Sequence, residues 1–563
     1  MQKAAALLIA LGVLTTSNAG AQQKRDSVDA RRKAAGAQAR FELVRRTNLP
    51  LEYTGSPTKC DAHIGRFCQW NNDEDTIEAK QPRVIRKARE SLIAALDSAQ
   101  KKAPRDGWIT GQRVRYLIEA KNDTAAYRVA RECQAAEWWC AALEGLALQQ
   151  SWNGIAADSA FARALRTMPA GERCRWTDMT PILDPPLRSR YKKVGCGRND
   201  QVAERLWWLA DPFWSLAGND RRTEHYARHT MAKIQEPARN AFNLSWSNDL
   251  REMVVRYGWA RYWTRGPSTG AGFDPRSGPV SGHESSPNYH FVPVSLSADT
   301  FPKVAFDLDL GASAERYSPV MSRRVFEILP QVAVFRRGDS SLVVVAYDVG
   351  TRRELDSLNM SGALVVARDE KSPMYQSTDH ALRKGALSVI VDSRPQIMSL
   401  EVINVDNRLG AAWRREVLPL KPNRRGSVSM SDPLLFEPSN AEVSDVESAM
   451  RTAIGTNTVR RGKVGIYWET YGLARTDSAQ TVSLTLTRVQ VGTLRRIGQS
   501  IGLASKSSPL TIRWNQMMSV GSVTARSVVL DLSLIPRGKY VLRVETGPDA
   551  KRLASTSRTI EIE

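Results

Sequence analysis

The spacing of apolar residues changes once along this chain, and that change constrains the fold more than any single motif. Pro82 to Ala103 carries Val84, Ile85, Ala88, Leu92, Ala95 and Leu96 at intervals of three and four, the stripe of an amphipathic helix. Helical spacing continues through roughly the first 240 residues. Beyond about residue 292 the interval falls to two: Val304, Phe306, Leu308 and Leu310 alternate with Ala305, Asp307 and Asp309. Val332–Phe335 and Leu342–Val345 flank Arg336-Arg337-Gly338-Asp339 and predict a hairpin. Further strands are predicted over 362–367, 386–391 and 399–405. After a polar connector at 422–462 they resume over 464–471, 481–489, 510–514, 528–534 and 540–545, and Ile560 and Ile562 close the chain. Between the two textures, Gly266 to Asn288 is rich in Gly, Ser and Pro and predicts a surface loop or linker, not a strand or helix. Order should resume at Tyr289-His290-Phe291, with Phe291 entering the first β core. A chain of 563 residues exceeds what one core serves. The expected fold class is multidomain, α then β. It comprises a helical region at 22–200, a small α/β segment at 201–265, a linker at 266–292, and β-sandwiches at 293–421 and 463–563 joined by the connector 422–462.

Within the helical region a repeat is visible. Gly111, Tyr127 and Ala130 recur thirty-four residues later as Gly145, Phe161 and Ala164, and Ala157 and Pro169 add a small residue and a terminating proline. The register over about 105–170 resembles tetratricopeptide helix pairs. Cys133 and Cys140 bear on the same register. In one continuous helix, residues seven apart lie about 10 Å apart, whereas a disulfide needs Cα atoms within roughly 7 Å. A bridge between them requires a turn near Ala135–Glu137, where the repeat places one.

The N-terminus sets the redox context. Met1-Gln2-Lys3 is basic, Ala4–Leu14 is apolar, and Ala19-Gly20-Ala21 supplies small residues, the order of a secretory signal peptide spanning 1–21. The apolar run falls short of the roughly 20 residues a bilayer span needs, and no other run approaches that length. The expectation is an exported, soluble chain starting near Gln22, periplasmic or extracellular. Six cysteines in such a compartment predict three disulfides between sequence neighbours: Cys60–Cys68, Cys133–Cys140 and Cys174–Cys196. In "KCDAHIGRFCQW" (59–70), haem attachment would need C-x-x-C-H, and zinc would want closely spaced ligand pairs that His63 lacks.

Charge points to partners. The net charge is +21, with basic residues scattered along the chain. This favours anionic partners such as envelope polysaccharide or acidic headgroups. Nucleic acid is not expected for an exported chain without aromatic–basic recognition motifs.

The most distinctive segments are "RLWWLADPFWSLAGNDRRTEHYARHTMAKI" (205–234) and "NLSWSNDLREMVVRYGW" (243–259). Leu206-Trp207 with Asp211-Pro212 form a first element, and Asn219, Arg222, Tyr226 and Arg228 a second. Ser245-Trp246-Ser247-Asn248-Asp249 stand as a motif, and Val254-Val255-Arg256-Tyr257-Gly258 as a following strand. Together they resemble the bacterial GWxTD-domain proteins, exported proteins named for a Gly-Trp-x-Thr-Asp motif. Ser245 and Asn248 replace the glycine and threonine of the name. Trp259-Ala260 replace the Pro-Pro-Asp that often follows Tyr-Gly. The resemblance covers about 60 residues, extends to "GIYWETYGL" and "SLIPRGKYVLRVE", and implies export, a helical front and a β-sandwich tail, with no established activity. Physically, Trp246 is expected as a buried anchor, with Asn248 and Asp249 closing a turn through their own side chains.

Other candidates are weaker. His225 and His229 lie four apart, but Tyr226 stands where H-E-x-x-H needs glutamate. His283, Glu284 and His290 offer three potential metal ligands. Arg337-Gly338-Asp339 is ordinary hairpin-tip chemistry, and Ser98–Lys101 spells S-x-x-K without its partner motifs. No G-x-S-x-G, Walker loop or dinucleotide fingerprint occurs, so no catalytic, metal or cofactor residue is assigned and no cofactor is expected. Twelve of the 15 tryptophans precede residue 264, suggesting aromatic helical cores or sugar stacking. The reading is a non-catalytic exported interaction or scaffold protein of the cell envelope, binding protein or anionic envelope polymer. The alternative is an enzyme acting on envelope polymer, with a site in 205–290.

Overall fold

The computed structural model of the chain describes residues 2–51, 62–69, 78–191, 200–267, 278–284, 289, 291–292, 315–320, 322, 324–350, 353–355, 359–369, 371, 373–404, 406–420, 427–473, 479–489, 509–517, 523–547 and 553–563. It divides into two compact units. One comprises Met1–Pro212, Leu216–Leu296 and Phe306–Arg323; the other comprises Phe213–Ser215, Ser297–Ala305 and Arg324–Glu563.

The first unit is helical. Its elements are α1 (Gln2–Thr47), the strands β1 (Ala62–Ile64) and β2 (Phe67–Gln69), α2 (Arg83–Lys102), α3 (Gly107–Glu119), α4 (Asp123–Arg131), α5 (Glu137–Gln150) and α6 (Gly154–Thr167). Then come α7 (Ala170–Thr177), α8 (Pro185–Tyr191), α9 (Asp200–Ala210), α10 (Asp220–Gln235), α11 (Asn248–Tyr257), and the strands β3 (Tyr262–Arg265) and β4 (Val280–His283). The stripe on α2 buries Ile85, Leu92 and Leu96 with Ala30, Ala34 and Phe41 of α1, while Val84 at its margin stays exposed. Helices α3, α4 and α6 start where Asp106, Asn122 and Asn153 accept hydrogen bonds from backbone N–H groups of the first turn. No described helix is long and apolar enough to cross a membrane.

The repeat register corresponds to two antiparallel helix pairs, α3–α4 and α5–α6. Residues 132–136 break the helix between Cys133 and Cys140, bringing their Cα atoms to 5.5 Å and joining the sulfurs in a disulfide. A side chain on Gly145 would collide with Phe161 at 2.8 Å, so glycine lets the α5–α6 pair close. Gly111 has a different neighbour: its side-chain position faces Trp139 at 3.1 Å, not Tyr127. Ala157, Phe161 and Ala164 are fully buried in one core with α10 residues Tyr226, Ala227 and Met231. Burial of this kind is worth roughly 1.5–3 kcal/mol for a large apolar side chain.

Three readings need correction in this unit. Met253–Tyr257 is not a strand but the end of α11, because Leu250, Val254 and Tyr257 are buried at helical spacing and Gly258, at φ 82°, ends the helix. The Gly/Ser/Pro stretch holds a strand after all. In it β4 pairs antiparallel with β3, and Gly282 is needed there because a side chain would meet Ala260 at 2.7 Å. Phe291 packs on Tyr317 within this unit rather than entering a β core (ring centroids 5.7 Å).

The second unit is built from sheets. Its first part contains β5 (Arg324–Glu327), β6 (Gln331–Arg337), β7 (Ser340–Asp348), β8 (Met360–Ala367), β9 (Met374–Ala381), β10 (Lys384–Asp392), β11 (Gln396–Asn404) and β12 (Leu409–Val417). A three-stranded sheet, β10-β7-β6, and a five-stranded sheet, β5-β12-β11-β8-β9, share one core of Val343, Val345, Leu364, Leu400 and Val402. The β6–β7 hairpin turns at Gly338, at φ 62°, as expected. Strands β5, β9 and β12 escape the sequence reading, and Val304–Leu310 lies outside the described residues.

The second part contains β13 (Ser429–Met430), β14 (Leu434–Phe436), α12 (Val446–Arg451), β15 (Thr458–Val459), β16 (Lys463–Tyr471), β17 (Ala479–Arg488), β18 (Leu510–Met517), β19 (Val523–Asp531), β20 (Gly538–Gly547) and β21 (Ala554–Ile562). Strand β16 pairs with β13, β14 and β19, and a second sheet runs β15-β21-β20-β17-β18. Ile466, Trp468, Leu484, Leu542 and Ile560 fill the core between them. The stretch 422–462 is therefore no bare connector. Its Leu434 and Phe436, with Val446 and Ala449 of α12, pack against Phe335 and Val344 of the preceding sheet. Apolar side chains facing apolar side chains, not a flexible tether, join the two parts.

Candidate functional site

The family-like residues converge on α10 and α11. Asn219 accepts a hydrogen bond from the Arg222 amide and donates Nδ2–H to the Trp207 carbonyl, starting α10 and tying it to α9. Arg222 reaches Asp158 on α6 through two hydrogen bonds, 3.1 and 2.7 Å. Tyr226 packs against Phe161 and Trp207. Arg228 donates to the carbonyls of Val255 (3.3 Å) and Arg256 (2.8 Å), which the end of α11 leaves unpaired, and to that of Arg316 (2.6 Å). Its charge is balanced by Glu224, which also accepts from Gln149 at 2.6 Å.

The motif Ser245–Asp249 leads into α11, with Ser247 at its N-cap. Its partner lies far upstream, at the tip of the β1–β2 hairpin inside the 59–70 cysteine segment. Arg66 Nε and Nη2 donate to Asp249 Oδ2 and Oδ1 at 2.6 and 2.9 Å, and Nη2 also reaches Ser247 Oγ at 2.8 Å and the Ser245 carbonyl at 3.1 Å. Ser247 Oγ donates to Asp249 as well. The Arg66 guanidinium holds the Asp249 carboxyl well below the usual carboxylate range, and Ser247 and the backbone amides of Arg66 and Leu250 add to the effect. Gly65 permits this approach: its φ is 53°, and a side chain there would lie 2.6 Å from Asp249 Cβ. Trp246 is half-buried against the helical core rather than a fully buried anchor, and its indole N–H finds no partner among the described residues.

Asn248 turns the other way, into a cleft of about 380 Å³ that α7, the turn at Thr180–Ile182, α10 and α11 enclose. Several of the charges lining the cleft pair with one another. Lys233 lies 3.5 Å from Glu172 and 3.3 Å from Glu236, and Arg251 lies 2.9 Å from Glu236 and donates to Asn248 Oδ1 at 3.1 Å. His229 is buried in the cleft wall, stacked on Trp176, and its Nε2 has no hydrogen-bond partner among the described residues. Burial, with Arg251 and Arg175 nearby, pushes its imidazole down to about 3, so it is neutral throughout the physiological range. His225, 4.6 Å away between ring centroids, bonds the Trp176 carbonyl and is likewise pushed down by burial. A base that weak is poorly matched to proton transfer near pH 7.

The other candidates do not assemble. His283 stacks on Tyr262 and bonds Thr264 Oγ at 2.6 Å, while Glu284 pairs with Arg261 at 3.1 Å; His290 lies outside the described residues. No group of three or more His, Cys, Asp or Glu side chains suited to a metal occurs among the described residues. Cys174 is disulfide-bonded; Cys60 and Cys196, and the side chain of Cys68, lie outside what is described. The grip of Arg66 on the motif left no local sequence signal, since the two ends are 183 residues apart.

No protein-family model matches the chain, and no curated protein matches it. Among solved structures it has likenesses to the FN1–FN3 domains of chicken CNTN1 (9% identity over 44% of this chain and 69% of that one, TM-score 0.15). It has others to the native conformation of E. coli alpha-2-macroglobulin (10%, 45% and 17%, TM-score 0.16) and to red sea bream transglutaminase (12%, 43% and 32%, TM-score 0.13). At TM-scores this low none of the three carries an argument about fold or function, and the site is read from its own residues.

Proposed function

We propose that this chain is an exported, non-catalytic interaction protein of the bacterial cell envelope. In this reading residues 1–21 are a signal peptide, and the helix pairs are a tetratricopeptide-like platform joined to a GWxTD-like segment. The sheet pairs of the second unit are tandem β-sandwiches serving as binding or spacer modules. The observation that carries the proposal is the state of the charged groups around the motif. Asp249 is locked to Arg66, the carboxylates Glu172 and Glu236 are paired with Lys233 and Arg251, and His229 is held neutral. Such groups present fixed hydrogen-bonding and charge patterns and are poorly placed to exchange protons with a substrate. The net charge of +21 favours an anionic polymer or an acidic protein surface as partner.

The test uses the full mature chain. It should retain polyuronate or another anionic envelope polymer on a column, release it as salt rises, and leave its length unchanged after prolonged incubation. Polymer shortening that disappears in His229→Ala would establish the enzyme reading instead. Failure to bind polymer or any protein of an envelope extract would overturn the proposal.

A further inference from the structure

The geometry points to a binding groove for an acidic saccharide beside the Cys133–Cys140 disulfide; this inference rests on the binding-protein reading above and names a site and ligand class for it. The groove has a volume of about 310 Å³, at the lower end of the roughly 300–1,000 Å³ usual for ligand sites. Its walls carry Trp108, Trp138 and Trp139, and its rim carries Arg31, Arg105 and Lys233. No carboxylate lines it among the described residues. That sets it apart from the neighbouring cleft, which shares Lys233 but is edged by Glu172, Glu236 and Glu252.

The groove is a built feature. Its floor is made of small residues, Gly107, Gly111, Ala135 and Ala136. Trp139 lies on the glycines, and a side chain at Gly107 would come within 2.9 Å of it. The Trp139 indole N–H donates to the Gly107 carbonyl at 2.8 Å, fixing the ring, whereas the Trp108 indole N–H is buried without a partner among the described residues. Ala135 and Ala136 belong to the turn that the Cys133–Cys140 disulfide brackets, so the covalent bridge holds that part of the lining in place.

The chemistry of the lining selects the ligand. The partly exposed rings of Trp108 and Trp138 favour the apolar C–H face of a sugar ring. Arg31 already sits over the Trp108 ring at 4.2 Å and pairs with Asp106, so it stiffens the wall. Arg105 is exposed and makes no ion pair among the described residues, which leaves its guanidinium for a carboxylate. One or two rings of a uronic-acid type fit these demands, and a neutral sugar satisfies only the stacking.

The experiment follows tryptophan fluorescence of the full chain titrated with a galacturonic acid tetramer, a neutral glucose tetramer and inorganic phosphate. The acidic tetramer should bind saturably and about tenfold or more tighter than the neutral one, and phosphate alone should not saturate. Arg105→Glu, at an exposed position that leaves the fold intact, should weaken the acidic tetramer about tenfold and remove most of its advantage over the neutral one. Trp138→Ala should weaken both tetramers. Equal binding of the two tetramers, or phosphate binding as tight as the tetramer, would overturn the ligand class. An unchanged curve in both variants would overturn the site. Retention of long polyuronate by the same two variants would leave the binding-protein reading standing without the groove. Cleavage of the bound tetramer would sink that reading and leave the groove.

Discussion

Arg66 closes on the carboxylate of Asp249 across 183 residues, with Nε and Nη2 at 2.6 and 2.9 Å from its two oxygens. The contact joins the hairpin of the first cysteine pair to the motif that opens α11. Asp249 also lies in the first turn of that helix, where the aligned backbone dipoles favour a negative charge. The pair is a docking device, and its behaviour with pH follows from the direction of the Asp249 shift. The folded carboxyl titrates well below the unfolded value of about 3.9. Its contribution to stability is therefore complete above about pH 4 and lost as pH falls further, toward the folded value. In urea unfolding, the advantage of the parent over Asp249→Asn should be constant from pH 7 to 5 and shrink below about pH 4. A difference that stays constant down to about pH 2 would mean that Asp249 titrates as in the unfolded chain and the grip is absent in solution.

Gly65 tests the same contact from the opposite side. A side chain there faces two obstacles: a left-handed backbone, which costs roughly 1–2 kcal/mol for a non-glycine residue, and the Asp249 Cβ at 2.6 Å. Asparagine tolerates the left-handed region far better than alanine. If conformation alone mattered, Gly65→Asn would be close to neutral. Both Gly65→Asn and Gly65→Ala should instead detach the hairpin, seen as faster amide exchange of Ile64 and Phe67. Protection kept in Gly65→Asn would show that the hairpin does not need its close approach to Asp249.

The Cys133–Cys140 bridge closes a short loop, so its stabilisation should be modest. Chain-entropy estimates for a loop of this length give roughly 2–3 kcal/mol. Replacing both cysteines by serine should lower the stability of the helical unit by about that amount and leave the unfolding of the β unit unmoved. A loss of equal size in both would show that the two unfold together. No loss at all would show that the turn between α4 and α5 holds without its staple.

Local patterns carried the broad architecture, and the misses have identifiable causes. The turn between Cys133 and Cys140 was legible because a disulfide and a continuous helix are geometrically incompatible seven residues apart. The end of α11 reads as a strand because Met253-Val254-Val255 is rich in β-formers. The buried positions Leu250, Val254 and Tyr257, spaced four and three apart, already favoured a helix. Val280–His283 was hidden in a Gly/Ser/Pro stretch because β-pairing with Tyr262–Arg265, and not intrinsic preference, makes it a strand. Leu434-Leu435-Phe436 was overlooked as one apolar run in a polar segment, although its burial joins two cores. The Arg66–Asp249 contact and the tryptophan groove come from packing between elements distant in sequence, which no local period encodes.

Asp220 gives a prediction with the opposite sign. It is the first residue of α10, and it accepts hydrogen bonds from the Tyr317 hydroxyl and from the Val320 amide at 3.0 Å. Burial pushes its carboxyl up to about 6 despite those two donors, and the nearby Glu224 charge pushes the same way. The folded state thus holds this proton more tightly than the unfolded chain, whose value is near 3.9. The stability it confers is complete below about pH 4 and is lost as pH rises through 6. Asp220→Asn keeps a carbonyl acceptor for both donors but cannot ionise. Its stability relative to the parent should therefore rise between pH 4.5 and pH 7, read from urea midpoints across that window. Tyr317→Phe removes a donor that favours the charged form, and should move the parent's midpoint of pH dependence above 6. Parallel stability curves for parent and Asp220→Asn would show that the carboxyl is already ionised at pH 4.5. In that case the buried start of α10 would carry a full negative charge, held by the Tyr317 hydroxyl and the Val320 amide.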